Sequence, residues 1–293
     1  MAPLIEDLSA SFREAIRIGA TFTVTLEREP YCVSGVLIEP DKVLTASHLV
    51  EDEGATVTLP DGTSREATLA GRDPSHDLAL LKLASPADAG PQPVVGAAQV
   101  GDLVLTLRRD PFDGVNASLG MVSAAGSKLR IGRMTPMDRY LQVDAPRLTG
   151  STGGPLVDGS GRLVGIQVFN RRMGAEVAVP AAPALERAAL LATTGTIKRA
   201  HLGIRSQAVH LPKSGTPGAQ ASGLLVISVE PGSAADRAGL LIGDVVVGFG
   251  AAEVRRHEDL LDAMSAATVG AVSELSVLRA GKRQTVRVTL GEA

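Results

Sequence analysis

From residue 21 to residue 169 the chain is built from short runs of Val, Leu, Ile and Thr, among them "TFTVTLE", "CVSGVLIE", "KVLTASHLV", "LALLKLA", "DLVLTLR", "YLQVDAP" and "RLVGIQVF". Turn-forming clusters such as "EPDK", "LPDG", "DPFDG" and "VDGSG" separate them. β-Branched and aliphatic side chains fit a pleated, half-buried surface, whereas Gly, Pro, Asp and Asn supply the dihedrals that reverse a chain. Many short strands at this spacing predict an all-β barrel or sandwich pair. With aromatic residues at 2% and no Trp, aliphatic packing has to supply most of the stabilisation.

The texture changes at Pro180. "PAAPALERAALLATTG" has a helix-capable interior and ends on Gly195, where a helix C-cap belongs. A smaller unit follows, with strand runs "GLLVISV", "DVVVGFG", "ELSVLRA" and "TVRVTL" and helix signals "SAADRAG" and "RHEDLLDAMSAA". By composition, "PKSGTPGAQASG" is a mobile loop within it. Ahead of the first strand, Leu4, Ile5, Leu8, Phe12 and Ile16 fall near one helical face. The organisation predicted is a helical segment over 1–17, a β domain over 18–195 and a smaller domain over 196–293.

A formal charge of −3 leaves no electrostatic footprint for nucleic acid or an anionic membrane surface. Cys32 is the one cysteine, so no intramolecular disulfide forms, and no Cys/His spacing marks a metal site. Charges at Glu6, Asp7, Arg13, Glu14 and Arg17 interrupt any apolar run long enough for a signal peptide or membrane span. The chain reads as soluble: cytoplasmic as written, or periplasmic where a leader has been removed.

Three segments carry the chemistry: "VLTASHLV" with His48, "DPSHDLALLKL" with Asp77, and "LTGSTGGPLV" with Thr152. Histidine, aspartate, hydroxyl is the chain order of a chymotrypsin-type triad, in which imidazole takes the nucleophile's proton and carboxylate holds the imidazole tautomer. Gly150 and the Thr152 N–H are the candidate oxyanion donors. His76, beside Asp77, reads as a solvated loop residue. His201, His210 and His257 read as surface histidines, and Asp144 as a structural hydrogen-bonding residue.

These segments resemble the HtrA/DegP family of trypsin-fold proteases that carry a PDZ domain. "VLTASHLV", "DLALLKL" and "GSTGGPLVDGSGRLVGI" match the family's three catalytic motifs, and "HLGI" with "SVEPGSAADRAGLLIGDVVVGFGAAEV" resembles a PDZ groove and core. The resemblance runs over about residues 18–291. It implies a mainly β fold, a chymotrypsin/trypsin-like double β-barrel followed by an α+β PDZ domain, acting without a cofactor. Implied partners are unfolded polypeptides or C-terminal peptides, within a homotrimer joined through the segment around Leu4, Ile5, Leu8 and Phe12. Leu148, Thr149, Gln167, Val168 and Phe169 fall in the segments that form the primary specificity pocket, with barrel core as the alternative for the last two. "FNRRMGAE" matches a loop that gates the site. Leu202, Gly203 and Ile204 would cradle a peptide carboxylate, while Leu260 and Met264 line the side-chain pocket and Leu261 serves the core.

The departure is Thr152, where the family pattern centres on serine, preceded by Ser151 in place of asparagine. Threonine keeps a hydroxyl, but its β-methyl stiffens χ1 and must face either His48 or the incoming carbonyl. Threonine nucleophiles are usually activated by their own free α-amine, which an internal residue lacks. Impaired peptidase activity is the expectation, with a non-proteolytic peptide-binding or chaperone-like protein as the alternative.

Overall fold

A computed structural model describes residues 2–27, 32–51, 54–88, 92–129, 137–169, 176–196, 200–211, 220–265 and 267–292. It divides into two compact units, 1–197 and 198–293. The proposed gating stretch 170–175 and most of the Gly/Pro/Ser-rich loop, 212–219, lie outside the described residues.

The first unit opens with helix α1 (Ala2–Ala20) and continues into strands β1 (Thr23–Leu26), β2 (Val33–Glu39) and β3 (Lys42–Ala46). A 3₁₀ turn over Ser47–Leu49 leads to β4 (Ala55–Thr58), β5 (Ser64–Asp73) and β6 (Leu78–Leu83). These six strands close into a barrel in the order β1-β2-β3-β6-β5-β4. A second closed barrel, in the order β10-β11-β12-β9-β8-β7, uses β7 (Leu103–Asp110), β8 (Gly114–Leu129), β9 (Met137–Asp144), β10 (Pro155–Asp158), β11 (Leu163–Phe169) and β12 (Glu176–Pro180). Closure removes the unpaired strand edges that an open sheet would expose. Helix α2 (Ala181–Thr194) then packs Ala181, Ala184, Ala188 and Leu191 into the core and ends on Gly195, whose N–H returns to the Leu191 carbonyl.

Ala15 is fully buried, and Phe12, Ile16 and Ile18 pack against the barrels, whereas Ile5 and Leu8 remain exposed. The apolar stripe read from the sequence is therefore divided: its C-terminal half is spent on its own unit. Arg109 of β7 fixes the junction, donating to the Ala20 carbonyl at 2.7 Å and the Thr23 carbonyl at 2.7 Å.

In the second unit, β14 (Ile204–His210), β15 (Ser222–Val229), β16 (Val245–Phe249), β18 (Val272–Arg279) and β19 (Lys282–Thr289) form one antiparallel sheet, with β17 (Ala252–Glu253) appended to β16. The two-residue strands β13 (Ala200–His201) and β20 (Gly291–Glu292) pair beside it, and α3 (Ala234–Arg237) and α4 (His257–Ser265) complete the core. Strand β14 stands at the sheet edge, bonded on one side to β15. The architecture is mainly β: two closed six-stranded barrels in the first unit and an α+β second unit, as the resemblance implies.

Candidate active site

His48 sits on the 3₁₀ turn that follows β3. Arg72 of β5 braces that turn, donating to the Ser47 and Val50 carbonyls at 2.7 Å each. Asp77 precedes β6 with φ 54°, a left-handed conformation uncommon for a residue with a Cβ and one that persists only where surroundings impose it. Here they do: the Ser47 N–H donates to the Asp77 carbonyl at 2.9 Å, and the His48 N–H donates to Asp77 Oδ1 at 2.9 Å. The other carboxylate oxygen, Oδ2, meets His48 Nδ1 at 2.6 Å. An ionised carboxylate on Nδ1 keeps the proton there and leaves Nε2 with its lone pair, the state a general base requires.

The turn leading into Asp77 is held by Asp73. Its carboxylate accepts from the Ser75 N–H and hydroxyl, from His76 Nδ1 at 3.0 Å and from Arg187 Nη1 of α2 at 2.6 Å. Burial opposes ionisation of Asp73, but the hydrogen bond and charge of His76, with Ser75 and Arg187, outweigh it and hold the carboxyl well below the usual range. His76 is thus no solvated loop residue: it is 0% exposed and paired with Asp73, the carboxylate that Arg187 of α2 also meets. Asp144, read as a structural hydrogen-bonding residue, has an exposed side chain.

Thr152 follows a tight turn in which the Ser151 N–H donates to the Leu148 carbonyl at 3.0 Å and Gly150 has φ +85°. A positive φ at the third position makes this a type II turn, for which glycine is the fitting residue. Gly153 is required for packing: a Cβ there would strike Thr45 Oγ1 and the Ser34 carbonyl and lie 3.0 Å from the Ala46 N. That close approach brings the Thr152 loop against the strand end that carries His48. Ser34 pins the loop further, its Oγ donating to the Gly150 carbonyl at 2.8 Å and its N–H to the Thr152 carbonyl at 3.2 Å.

Among the described residues, neither the Gly150 N–H nor the Thr152 N–H donates to a protein acceptor. Two unpaired amides beside a hydroxyl are the kind of donors an oxyanion needs. Ser151, 2% exposed, is too deeply buried to replace Thr152 as nucleophile.

The pocket residues divide by burial. Thr149 is exposed and Leu148 partly so, but Val168 belongs to the barrel core and Gln167 Nε2 is tied to the Pro155 carbonyl at 3.1 Å. Val168 therefore serves as packing, the alternative left open for it, and the Phe169 side chain lies outside the described residues. In the second unit Gly203, with φ +78°, follows the buried Leu202 and precedes Ile204 on the edge strand. Leu260 and Met264 are buried within this unit, and Leu261, read as core, is the more exposed. His257 at the start of α4 meets Ser206 Oγ of β14 at 3.1 Å, joining the helix to the edge strand.

Comparison with known proteins places this geometry. Residues 33–166 match the trypsin-like peptidase domain and residues 200–290 the PDZ domain. A Rhizobium meliloti protein named "Probable periplasmic serine endoprotease DegP-like" is 35% identical over 272 residues, 88% of this chain and 53% of its own length. Its Brucella suis counterpart is 32% identical over 269 residues, covering 88% of this chain and 52% of its own length. A trypsin-like peptidase domain followed by a PDZ domain makes the chain HtrA/DegP-like. It spans about half the length of these DegP-like relatives. Among solved structures, the serine endoprotease from Yersinia pestis superposes with TM-score 0.77 at 27% identity, over 96% of this chain and 98% of that one. The HtrA-type protease AlgW with a tripeptide gives TM-score 0.72 at 26% identity, over 96% and 97%.

Within this HtrA/DegP-like frame, Arg72, Asp73, Arg108 and Arg187 are site supports that sequence reasoning did not find. Only Asp73 left a local trace, in the Asp-Pro-Ser turn signal. Each of the three arginines acts on a carbonyl or carboxylate remote from it in sequence or on another element, which no spacing rule anticipates. Among the described residues no group of His, Cys, Asp and Glu could hold a metal ion, and no helix is long and apolar enough to cross a membrane.

Proposed function

We propose that the chain is an HtrA-like endopeptidase acting on unfolded polypeptides, slowed by the threonine at its nucleophile position. The observation that carries this is the His48–Asp77 couple at 2.6 Å beside a loop with two unpaired amides. In the reaction, His48 Nε2 takes the Thr152 hydroxyl proton as Oγ1 attacks the peptide carbonyl. The Gly150 and Thr152 N–H groups receive the resulting oxyanion. His48 then returns the proton to the leaving amine, and water, deprotonated by the same imidazole, hydrolyses the acyl-threonine. Leu148, partly exposed beside Thr149, is consistent with a small aliphatic residue before the cleaved bond.

Slowing follows from the β-methyl. An off-rotamer side chain costs about 0.5–1.5 kcal/mol, and a nucleophile misplaced by about 1 Å loses on the order of a hundredfold in rate. The second reading, a peptide-binding protein without proteolysis, draws support from two observations. The first is the threonine itself, whose β-methyl crowds the nucleophile position, and the second is the β14 edge with Gly203, suited to strand addition by a peptide C-terminus. The AlgW structures hold peptides, which favours a peptide ligand here too. The relatives named as periplasmic support a periplasmic setting on the same basis, and the homotrimer that the family resemblance implies is proposed with it.

Thr152→Ser decides between the two readings. We expect casein cleavage to rise at least about tenfold, roughly 1.4 kcal/mol of barrier, and His48→Ala in that background to abolish the gain. A folded Thr152→Ser protein as inert as its parent would leave the peptide-binding reading in place.

A further inference from the structure

Arg108 lies on β7, one residue before Arg109, so strand alternation sends the two guanidinium groups to opposite faces. Arg109 secures α1; Arg108 turns to the Thr152 loop. Its Nη1 donates to the Thr149 carbonyl at 2.8 Å, its Nε to Asn116 Oδ1 at 2.9 Å, and its Nη2 to Asp110 Oδ2 at 3.1 Å. Asp110 is in turn held ionised and in place by the Phe112 N–H at 3.0 Å. A planar fork with three of its donors engaged has little freedom left, so the position of Nη1 is fixed before any substrate arrives.

The carbonyl that Nη1 holds belongs to the peptide whose N–H is that of Gly150. In a trans peptide the C=O and N–H point in opposite directions. Type I and type II turns share their end points and differ by a flip of this central peptide, with φ at the third residue near −90° in one and +80° in the other. The observed +85° at Gly150 places the Thr149 carbonyl on the Arg108 side and frees the N–H on the other. The flipped turn would lose the Arg108 bond and put a carbonyl oxygen where an oxyanion has to sit.

We propose that Arg108 is a positioning residue that selects the type II form of the Leu148–Ser151 turn and so keeps the Gly150 N–H available to the oxyanion. The inference rests on reading Gly150 and Thr152 as oxyanion donors. It goes beyond that reading by assigning the orientation of one donor to a side chain on a different strand. Asn116 and Asp110 act through Arg108 and touch nothing that reacts.

The test separates conformation from turnover. Crystal structures of the full chain carrying Arg108→Met, which keeps the stem and loses the donors, should show Gly150 with φ near −90°; Arg108→Lys, which can still reach the carbonyl, should keep φ positive. In the Thr152→Ser background, with a peptide p-nitroanilide bearing Val before the scissile bond, Arg108→Met should lower kcat by about 10- to 100-fold and change KM less than about threefold. Arg108→Lys should restore at least half of the lost activity. An Arg108→Met structure that retains the type II turn overturns the proposal, as does equal loss of kcat in the Lys and Met variants. If Arg108→Met does not fold, Asn116→Ala, which frees Nε alone, should give a smaller fall in kcat at unchanged KM; no change there also overturns it. Should Thr152→Ser itself be inactive, the peptidase reading fails while the crystallographic arm still decides the role of Arg108.

Discussion

Asp73 gathers four donors around one buried carboxylate, and its consequence is a dependence on acid. Its folded pKa lies below the ordinary value of about 4. The stabilisation is therefore complete above that value and is lost as pH falls from about 4 toward the folded pKa. Urea denaturation between pH 7 and pH 3 should show a decline that Asp73→Asn flattens. At pH 7, Asp73→Ala should cost about 3–5 kcal/mol, because it strands Arg187 and His76 without their partner. Thr152 and His48 were legible in the sequence because each stands in a local motif. His76 was not: its partner Asp73 is shared with Arg187 of α2, which arrives more than a hundred residues later in the chain.

At the scale of elements, the strands were legible because alternation and turn residues are local signals, whereas the choice of two barrels over a sandwich pair came from the family resemblance. Register around an axis was less legible. Leu260 and Met264, four residues apart, share one face of α4, but whether that face meets a groove or a core depends on the sheet it packs against. The two-residue strands β13 and β20 carry no periodicity to read. Helix α1 continues past the predicted boundary at residue 17 to Ala20, where Arg109 satisfies its last carbonyl. Arg109→Met should leave the Ala20 and Thr23 carbonyls without their charged donor and cost about 2–3 kcal/mol, measured as a lower urea midpoint at unchanged m-value. Deleting residues 2–20 in the Arg109→Met background should then add less than in the parent, since the two changes share one contact.

For the whole molecule, the half of α1 that its own unit leaves uncovered sets the expectation for assembly. Ile5 is 61% exposed and Leu8 45%. If these cover one another between copies, light scattering at micromolar concentration should give about three times the 30.2 kDa chain mass, and Ile5→Ser with Leu8→Ser should return it to one. A parent that scatters as a single chain rejects the trimer. The two-unit division has a mechanical side as well. The last described residue of the first unit, Thr196, bridges to Arg72, and the Arg72 N–H holds the Gly195 carbonyl at 3.2 Å. The Arg72 side chain grips the turn that carries His48, and its neighbour Asp73 fixes the turn that carries Asp77. The C-terminal end of the first unit is thus riveted to Arg72, the residue whose side chain seats the His48 turn. A pull on that end would be borne first at Arg72, at the end of β5 beside the turns that carry the acid–base couple.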